Sequence, residues 1–167
     1  MQFYFKTAPH TQTHTQTKIN PDVWQRTPAA REGGELRSQF FWFPLTDTFG
    51  RKHTYLRVSI TEKCNLRCRY CMPTEGVQLT PKASLLTSHE IVTLARLFVK
   101  AGVTKVRLTG GEPLIRPDVT SIVENLCKLE GLGTVAMTTN GINLARMLPS
   151  LKHAGLGHLN VSLDTLV

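Results

Sequence analysis

The chain has 167 residues, 41% of them hydrophobic and 19% charged, with a formal net charge of +8. That length suits one domain of ordinary size, and no apolar run approaches the roughly 20 residues needed to cross a bilayer. Four cysteines, three of them clustered, do not make a secreted disulfide scaffold and favour a reducing interior. The charge is unevenly spread. Residues 1–50 hold five Lys/Arg against four Asp/Glu, whereas residues 51–167 hold fifteen against eight. The basic excess therefore belongs to the regularly patterned part of the chain. It favours an anionic partner, a nucleotide triphosphate or a nucleic acid, although a merely basic, soluble surface reads the same way.

Residues 1–43 stand apart. His10-Thr11-Gln12-Thr13 is repeated as His14-Thr15-Gln16-Thr17 with no apolar periodicity. Such a tract buries too little apolar surface to offset chain entropy, so the sequence predicts a disordered, low-complexity segment over 1–43. Its first acid is Asp22, but the first twenty residues carry two Lys and no Arg, which makes a weak targeting signal.

The regular pattern begins with a strand over Thr54–Thr61. Directly after it comes Cys64-Asn65-Leu66-Arg67-Cys68-Arg69-Tyr70-Cys71, three thiols in eight residues. The spacing puts three thiolates on one short loop, within reach of a single inorganic cluster. A cubane held by three Cys keeps one iron open to a small molecule, whereas structural zinc takes four closed ligands. Zinc or plain buried thiols are the competing readings. Cys127, far away in a helical stretch, reads as a small apolar residue on a helix face.

A capping box, Thr87-Ser88-His89-Glu90, opens the first helix, which carries Ile91, Leu94, Ala95 and Phe98 on one face and stops at Gly102. A strand over Thr104–Thr109 runs into Gly110-Gly111-Glu112-Pro113. Glycines let a backbone approach a ligand closely, and Glu112 offers an acceptor to an ammonium group; alone, this would read as a turn. The second helix starts near Pro117-Asp118 with Ile122, Val123 and Leu126 inward, and ends by Gly131. A strand over Thr134–Thr139 follows. The third helix, about Leu144 to Ala154, is expected to be interrupted by Pro149 and closed by Gly155. A last strand covers His158–Ser162. Alternating strand and helix predicts an α/β fold with a parallel sheet of four strands.

Each strand alternates. Leu56, Val58 and Ile60 face away from Arg57, Ser59 and Thr61; Val106 and Leu108 from Lys105, Arg107 and Thr109. Val135 and Met137 oppose Ala136, Thr138 and Asn140, while Leu159, Val161 and Leu163 oppose Asn160, Ser162 and Asp164. Strands covered on both sides read as continuous apolar runs; these have one apolar and one polar face. Helices cover the first. The second lines either a ligand-filled open barrel or a sheet face exposed to solvent. Arg57 and Arg107 lie on it, and a guanidinium there suits phosphate unless Glu112 or Asp164 pairs with it.

The three-cysteine loop, with Tyr70 before its last Cys, resembles the signature of the radical S-adenosylmethionine (SAM) superfamily. From about Pro44 onward the chain more specifically resembles the GTP 3′,8-cyclase family of molybdenum cofactor biosynthesis, in its eukaryotic form. The residues behind this are Phe49-Gly50-Arg51, Arg57-Val58-Ser59, Cys71-Met72-Pro73, the run Lys105 to Arg116, Thr138-Thr139-Asn140-Gly141 and Ser162-Leu163-Asp164. The resemblance implies a partial (β/α) barrel over 44–167. It implies a [4Fe–4S] cluster on Cys64, Cys68 and Cys71, and SAM contacts from Tyr70, Gly110, Gly111, Glu112 and Ser162. GTP contacts would come from Arg57, Arg107 and Thr138. For Tyr70 a cluster shield, and for Ser162 a structural hydrogen bond, are the alternatives.

The implied reaction is one-electron cleavage of SAM, hydrogen abstraction from carbon 3′ of GTP and attack on guanine carbon 8. The product would be (8S)-3′,8-cyclo-7,8-dihydroguanosine 5′-triphosphate. An electron donor is the implied partner, the mitochondrial matrix the implied compartment; neither nucleic acid nor membrane is required, and a homo-oligomer is compatible. Family members extend past the fourth strand and carry a second three-cysteine cluster, which Cys127 cannot supply. The expectation is therefore a truncated form without full cyclase competence, its fourth strand left as an unpaired, association-prone edge. A radical SAM enzyme acting on RNA or protein, and a non-catalytic iron–sulfur or zinc module, are the readings from other classes.

Overall fold

The computed structural model describes residues 2–3 and 45–163; apart from Gln2–Phe3, which form a strand, the expected disorder of 1–43 falls outside them, as does Asp164. Five parallel strands are ordered as they occur in the chain: β1 (Gln2–Phe3), β2 (Tyr55–Ser59), β3 (Lys105–Thr109), β4 (Thr134–Thr139) and β5 (His158–Val161). The four strands expected from the alternation are β2 to β5. The two-residue β1, which pairs with Arg57 and Val58, was not anticipated, because so short a strand carries no periodicity.

Three helices connect the strands: α1 (Ser88–Lys100), α2 (Val119–Cys127) and α3 (Leu144–His153). The Thr87 hydroxyl accepts from the Glu90 N–H and the Glu90 carboxylate accepts from the Thr87 N–H, so the capping box is formed. α1 and α3 both end in a glycine at positive φ, Gly102 and Gly155, followed by a residue whose N–H reaches back five positions, to Phe98 and Leu151. Pro149 does not interrupt α3. The helix runs through it, forgoing only the hydrogen bond that a proline nitrogen cannot donate.

The helices cover one face of the sheet. Leu56, Val58 and Ile60, Val106 and Leu108, and Val135 and Met137 are buried there. They meet Ile91, Val92 and Ala95 of α1, the fully buried Ile122, Val123 and Leu126 of α2, and Leu151 of α3. Burying each large aliphatic side chain contributes about 1.5–3 kcal/mol, so this single layer is the main source of stability. Val92, and not Leu94, completes the inner face of α1. Along β5 Leu159 packs against this core, whereas Val161 and, past the strand, Leu163 are exposed at the sheet edge. No helix among the described residues is long and apolar enough to cross a membrane.

Candidate cluster and ligand site

The site lies at the carboxyl ends of the strands, where parallel α/β sheets form their ligand sites. Beyond β2 the chain enters the cysteine loop; beyond β3 it enters Gly110-Gly111. These two segments are joined by continued pairing. The Ile60 N–H donates to Thr109 O at 2.9 Å, Gly111 to Thr61 O at 2.7 Å and Glu112 to Lys63 O at 2.7 Å. A Cβ on Gly110 would lie 2.3 Å from Thr61 O, and one on Gly111 only 2.1 Å from Lys63 O. Both contacts are impossible, so glycine is required here for close packing against the root of the cysteine loop. Gly110 also has φ +150°.

Glu112 is 1% exposed. Its Oε1 accepts from the Leu114 N–H at 2.9 Å and the Thr139 hydroxyl at 2.7 Å, and its Oε2 from the Asn140 N–H at 2.7 Å. It therefore caps the 3-10 turn Pro113–Ile115 and ties that turn to the end of β4. What this loop turns outward is the backbone of the exposed Gly110 and Gly111.

All four cysteines are reduced; Cys64 and Cys68 are half-buried and Cys71 is exposed. The loop turns at Cys68, whose carbonyl accepts from the N–H groups of Cys71 at 3.0 Å and Met72 at 2.9 Å. Arg67 braces it, donating from Nη1 to Cys64 O at 3.1 Å and Leu66 O at 3.0 Å. Glu62, just before the loop, accepts from the N–H and hydroxyl of Thr80 at 2.8 and 3.0 Å, closing the segment that follows. Among the described residues no three His, Cys, Asp or Glu side chains are gathered closely enough to hold a metal ion. The backbone of the loop is thus shaped by its own hydrogen bonds. Tyr70, beside Cys71, is largely exposed.

On the open face of the sheet the structure brings Arg57, Arg107 and Thr138 together. Arg57 and Arg107 are paired in register, Arg107 Nη1 donates to Thr138 Oγ1 at 3.2 Å, and Arg57 Nε lies 3.5 Å from Thr109 Oγ1. Tyr55 covers the other side, its ring centroid 5.9 Å from the Arg107 guanidinium carbon and 5.8 Å from Lys105 Nζ. Neither arginine pairs with Glu112, whose oxygens are engaged as described. Arg107 Nε is buried with no hydrogen-bond partner among the described residues. Ser162 continues this face past β5, its N–H donating to Thr139 O at 2.9 Å.

Sequence reasoning missed three contributors. Asn140 Nδ2 donates to Asn65 Oδ1 at 2.8 Å, linking the end of β4 to the cysteine loop. Arg116 donates to Ile60 O at 2.6 Å, to Leu86 O at 3.0 Å and to the Asp118 carboxylate at 2.7 Å. Asp118 also accepts from the Ser88 hydroxyl, so one carboxylate joins the starts of α1 and α2. The Arg116 hydrogen bonds hold its carboxyl down at about 2, from 3.8. Cys127 lies on the surface of α2 with its sulfur partly covered: the thiol donates to Gly155 O at 3.3 Å, and this partial burial raises its pKa.

The family model for the radical SAM superfamily matches residues 58–167. The chain is 72% identical over 146 residues to human molybdenum cofactor biosynthesis protein 1, covering 87% of this chain and 22% of that protein. It is 64% identical over 151 residues to the mitochondrial GTP 3′,8-cyclase of Arabidopsis thaliana, covering 90% and 39%. It is 51% identical over 122 residues to the GTP 3′,8-cyclase of Moorella thermoacetica, covering 73% and 38%. The chain thus spans between about a fifth and two-fifths of the length of these relatives. Among solved structures, BtrN in an open conformation superposes with a TM-score of 0.52 at 20% identity, covering 70% of this chain and 53% of that one. That likeness concerns the fold alone.

Proposed function

The chain belongs to the radical SAM superfamily, and from that premise we propose that it forms the cluster- and SAM-binding part of a GTP 3′,8-cyclase of molybdenum cofactor biosynthesis. Superfamily membership brings SAM and an iron–sulfur cluster in general. The finer reading rests on one observation: the buried, unpartnered Nε of Arg107, next to Arg57 and the Thr138 hydroxyl on the open face. A buried donor left unpaired costs about 1–3 kcal/mol, which triphosphate oxygens accepting from a planar guanidinium would offset. Relatives named as GTP 3′,8-cyclases support the same substrate.

Cys64, Cys68 and Cys71 are the residues that would hold a [4Fe–4S] cluster. Their chemistry fits it: three sulfur donors on one loop whose root is fixed and whose last cysteine is exposed. When bound, the cluster supplies the one-electron reduction that cleaves SAM and initiates hydrogen abstraction from the GTP ribose.

The protein's own part is positional. The Gly110 and Gly111 backbone and Ser162, at the ends of β3 and β5, would hold SAM, with Glu112 bracing the glycine loop and Tyr70 beside the last cysteine. Arg57, Arg107 and Thr138 fix the triphosphate by charge-assisted hydrogen bonds. The Arabidopsis relative is named mitochondrial, and the same compartment, with an electron donor in it, is proposed for this chain.

The test is anaerobic reconstitution of the chain with iron and sulfide, followed by metal analysis and titration with GTP. About four irons per chain and GTP binding weakened at least tenfold by Arg107→Ala are expected. One zinc per chain, or GTP binding indifferent to Arg107, would overturn the reading.

A further inference from the structure

We propose that Asn140 is a positioning residue for the cluster loop, acting through Asn65. The proposal rests on the assignment of the cluster to Cys64, Cys68 and Cys71. Asn65 directly follows the first of these cysteines, and its Oδ1 accepts from Asn140 Nδ2 at 2.8 Å across 75 positions of sequence. The Asn140 end of this bond differs from an incidental surface contact. Asn140 is fixed on two sides: its N–H donates to the buried Glu112 and its own Oδ1 accepts from the Ile142 N–H at 3.1 Å. That second bond leaves Nδ2 facing outward and sets which side of the amide meets Asn65. Glu112 is itself held by the Thr139 hydroxyl and the Leu114 N–H. A chain of hydrogen bonds therefore runs from the buried carboxyl through the end of β4 to the residue beside Cys64.

Two other ties, from Arg67 and Glu62, do not duplicate it. Arg67 bonds to carbonyls within the loop itself, and Glu62 closes the segment beyond it onto its own root. The Asn65–Asn140 bond instead reaches from the loop to the residue that follows β4. The same strand carries Thr138, two residues earlier and on the same face, against Arg107. Asn140 thus fixes the first cysteine relative to the strand that carries the proposed substrate contact. Outer contacts that orient metal ligands are worth about 10–100-fold in metal affinity.

The test uses the full chain loaded anaerobically with iron and sulfide. Iron loss to excess chelator is followed by absorbance, and the reduced cluster by electron paramagnetic resonance with and without SAM. Asn65→Leu and Asn140→Ala are each expected to release iron on the order of tenfold faster, the double variant no faster than either alone. Asn65→Asp, which keeps an acceptor for Asn140 Nδ2, is expected to restore slow release and the wild-type resonance. Asn65 is exposed, so Asn65→Leu keeps the fold, checked by an unchanged thermal midpoint. Release from Asn65→Leu equal to wild type, or effects that multiply in the double variant, would overturn the positioning role alone. A wild-type chain that takes up no iron would overturn the cluster assignment and this role with it.

Discussion

Arg57 and Arg107 stand at paired positions on neighbouring strands, two cationic residues on the face the helices leave open. The ion pairs among the described residues involve Asp47, Asp118 and Glu124, and none reaches either arginine. An arrangement that sets like charges together and leaves a donor unpaired does not stabilise the fold. Replacing Arg107 with Met should therefore raise the thermal midpoint while weakening GTP binding at least tenfold, because a packed apolar side chain avoids the cost of about 1–3 kcal/mol for the orphaned Nε. Calorimetry on the variant checks both; a lowered midpoint would show that Arg107 is structural.

Gly111→Ala should cost about 2–3 kcal/mol and loosen the cysteine loop, since its methyl would have to displace the Lys63 carbonyl, 2.1 Å away. Denaturant unfolding gives the loss. Stability unchanged within about 0.5 kcal/mol would mean the two loops are not packed as described.

Glu112→Gln should destabilise the chain by about 1–3 kcal/mol, because one amide oxygen cannot serve three donors and the new NH2 must face one of them. Thr139→Val, which removes one of those donors, should partly relieve the defect. Urea midpoints of both single variants and the pair test this coupling.

Stability should fall in acid through Asp118. Its pKa is lowered from 3.8 to about 2 in the folded chain. The stabilisation it contributes is therefore complete above the unfolded value and is lost as pH drops from about 3.8 towards about 2. Asp118→Asn should remove on the order of 1 kcal/mol at neutral pH, a figure reduced by the partial exposure of the pair, and flatten this acid limb. A variant whose acid unfolding curve superimposes on wild type would refute the assignment.

Much of the fold was legible because period-2 alternation is direct: Leu56, Val58, Val106, Leu108, Val135 and Met137 are buried as the pattern required. Capping at Thr87 and the two glycine stops were equally plain. β1 was not, since two residues carry no pattern, and Pro149 misled because a helix can lose one hydrogen bond and continue. At the site, residue types identified the loops and the arginine–threonine face. Contacts between loops were invisible. Gly110 and Gly111 read as openings for a ligand, but their missing side chains also admit the backbone of residues 61–63. The pairing of Asn65 with Asn140 gave no signal, because two amides 75 positions apart become partners only once β2 and β4 flank β3.

That close join between Thr61–Lys63 and Gly110–Glu112 has a mechanical consequence. A hinge cannot sit there, because rotation would break two main-chain bonds and drive atoms into one another. Under the proposed cluster assignment, any travel of the thiols would have to be generated further out, between Lys63 and the Thr80 clasp. The sheet and glycine loop then serve as a fixed anvil against which only the tip is reshaped.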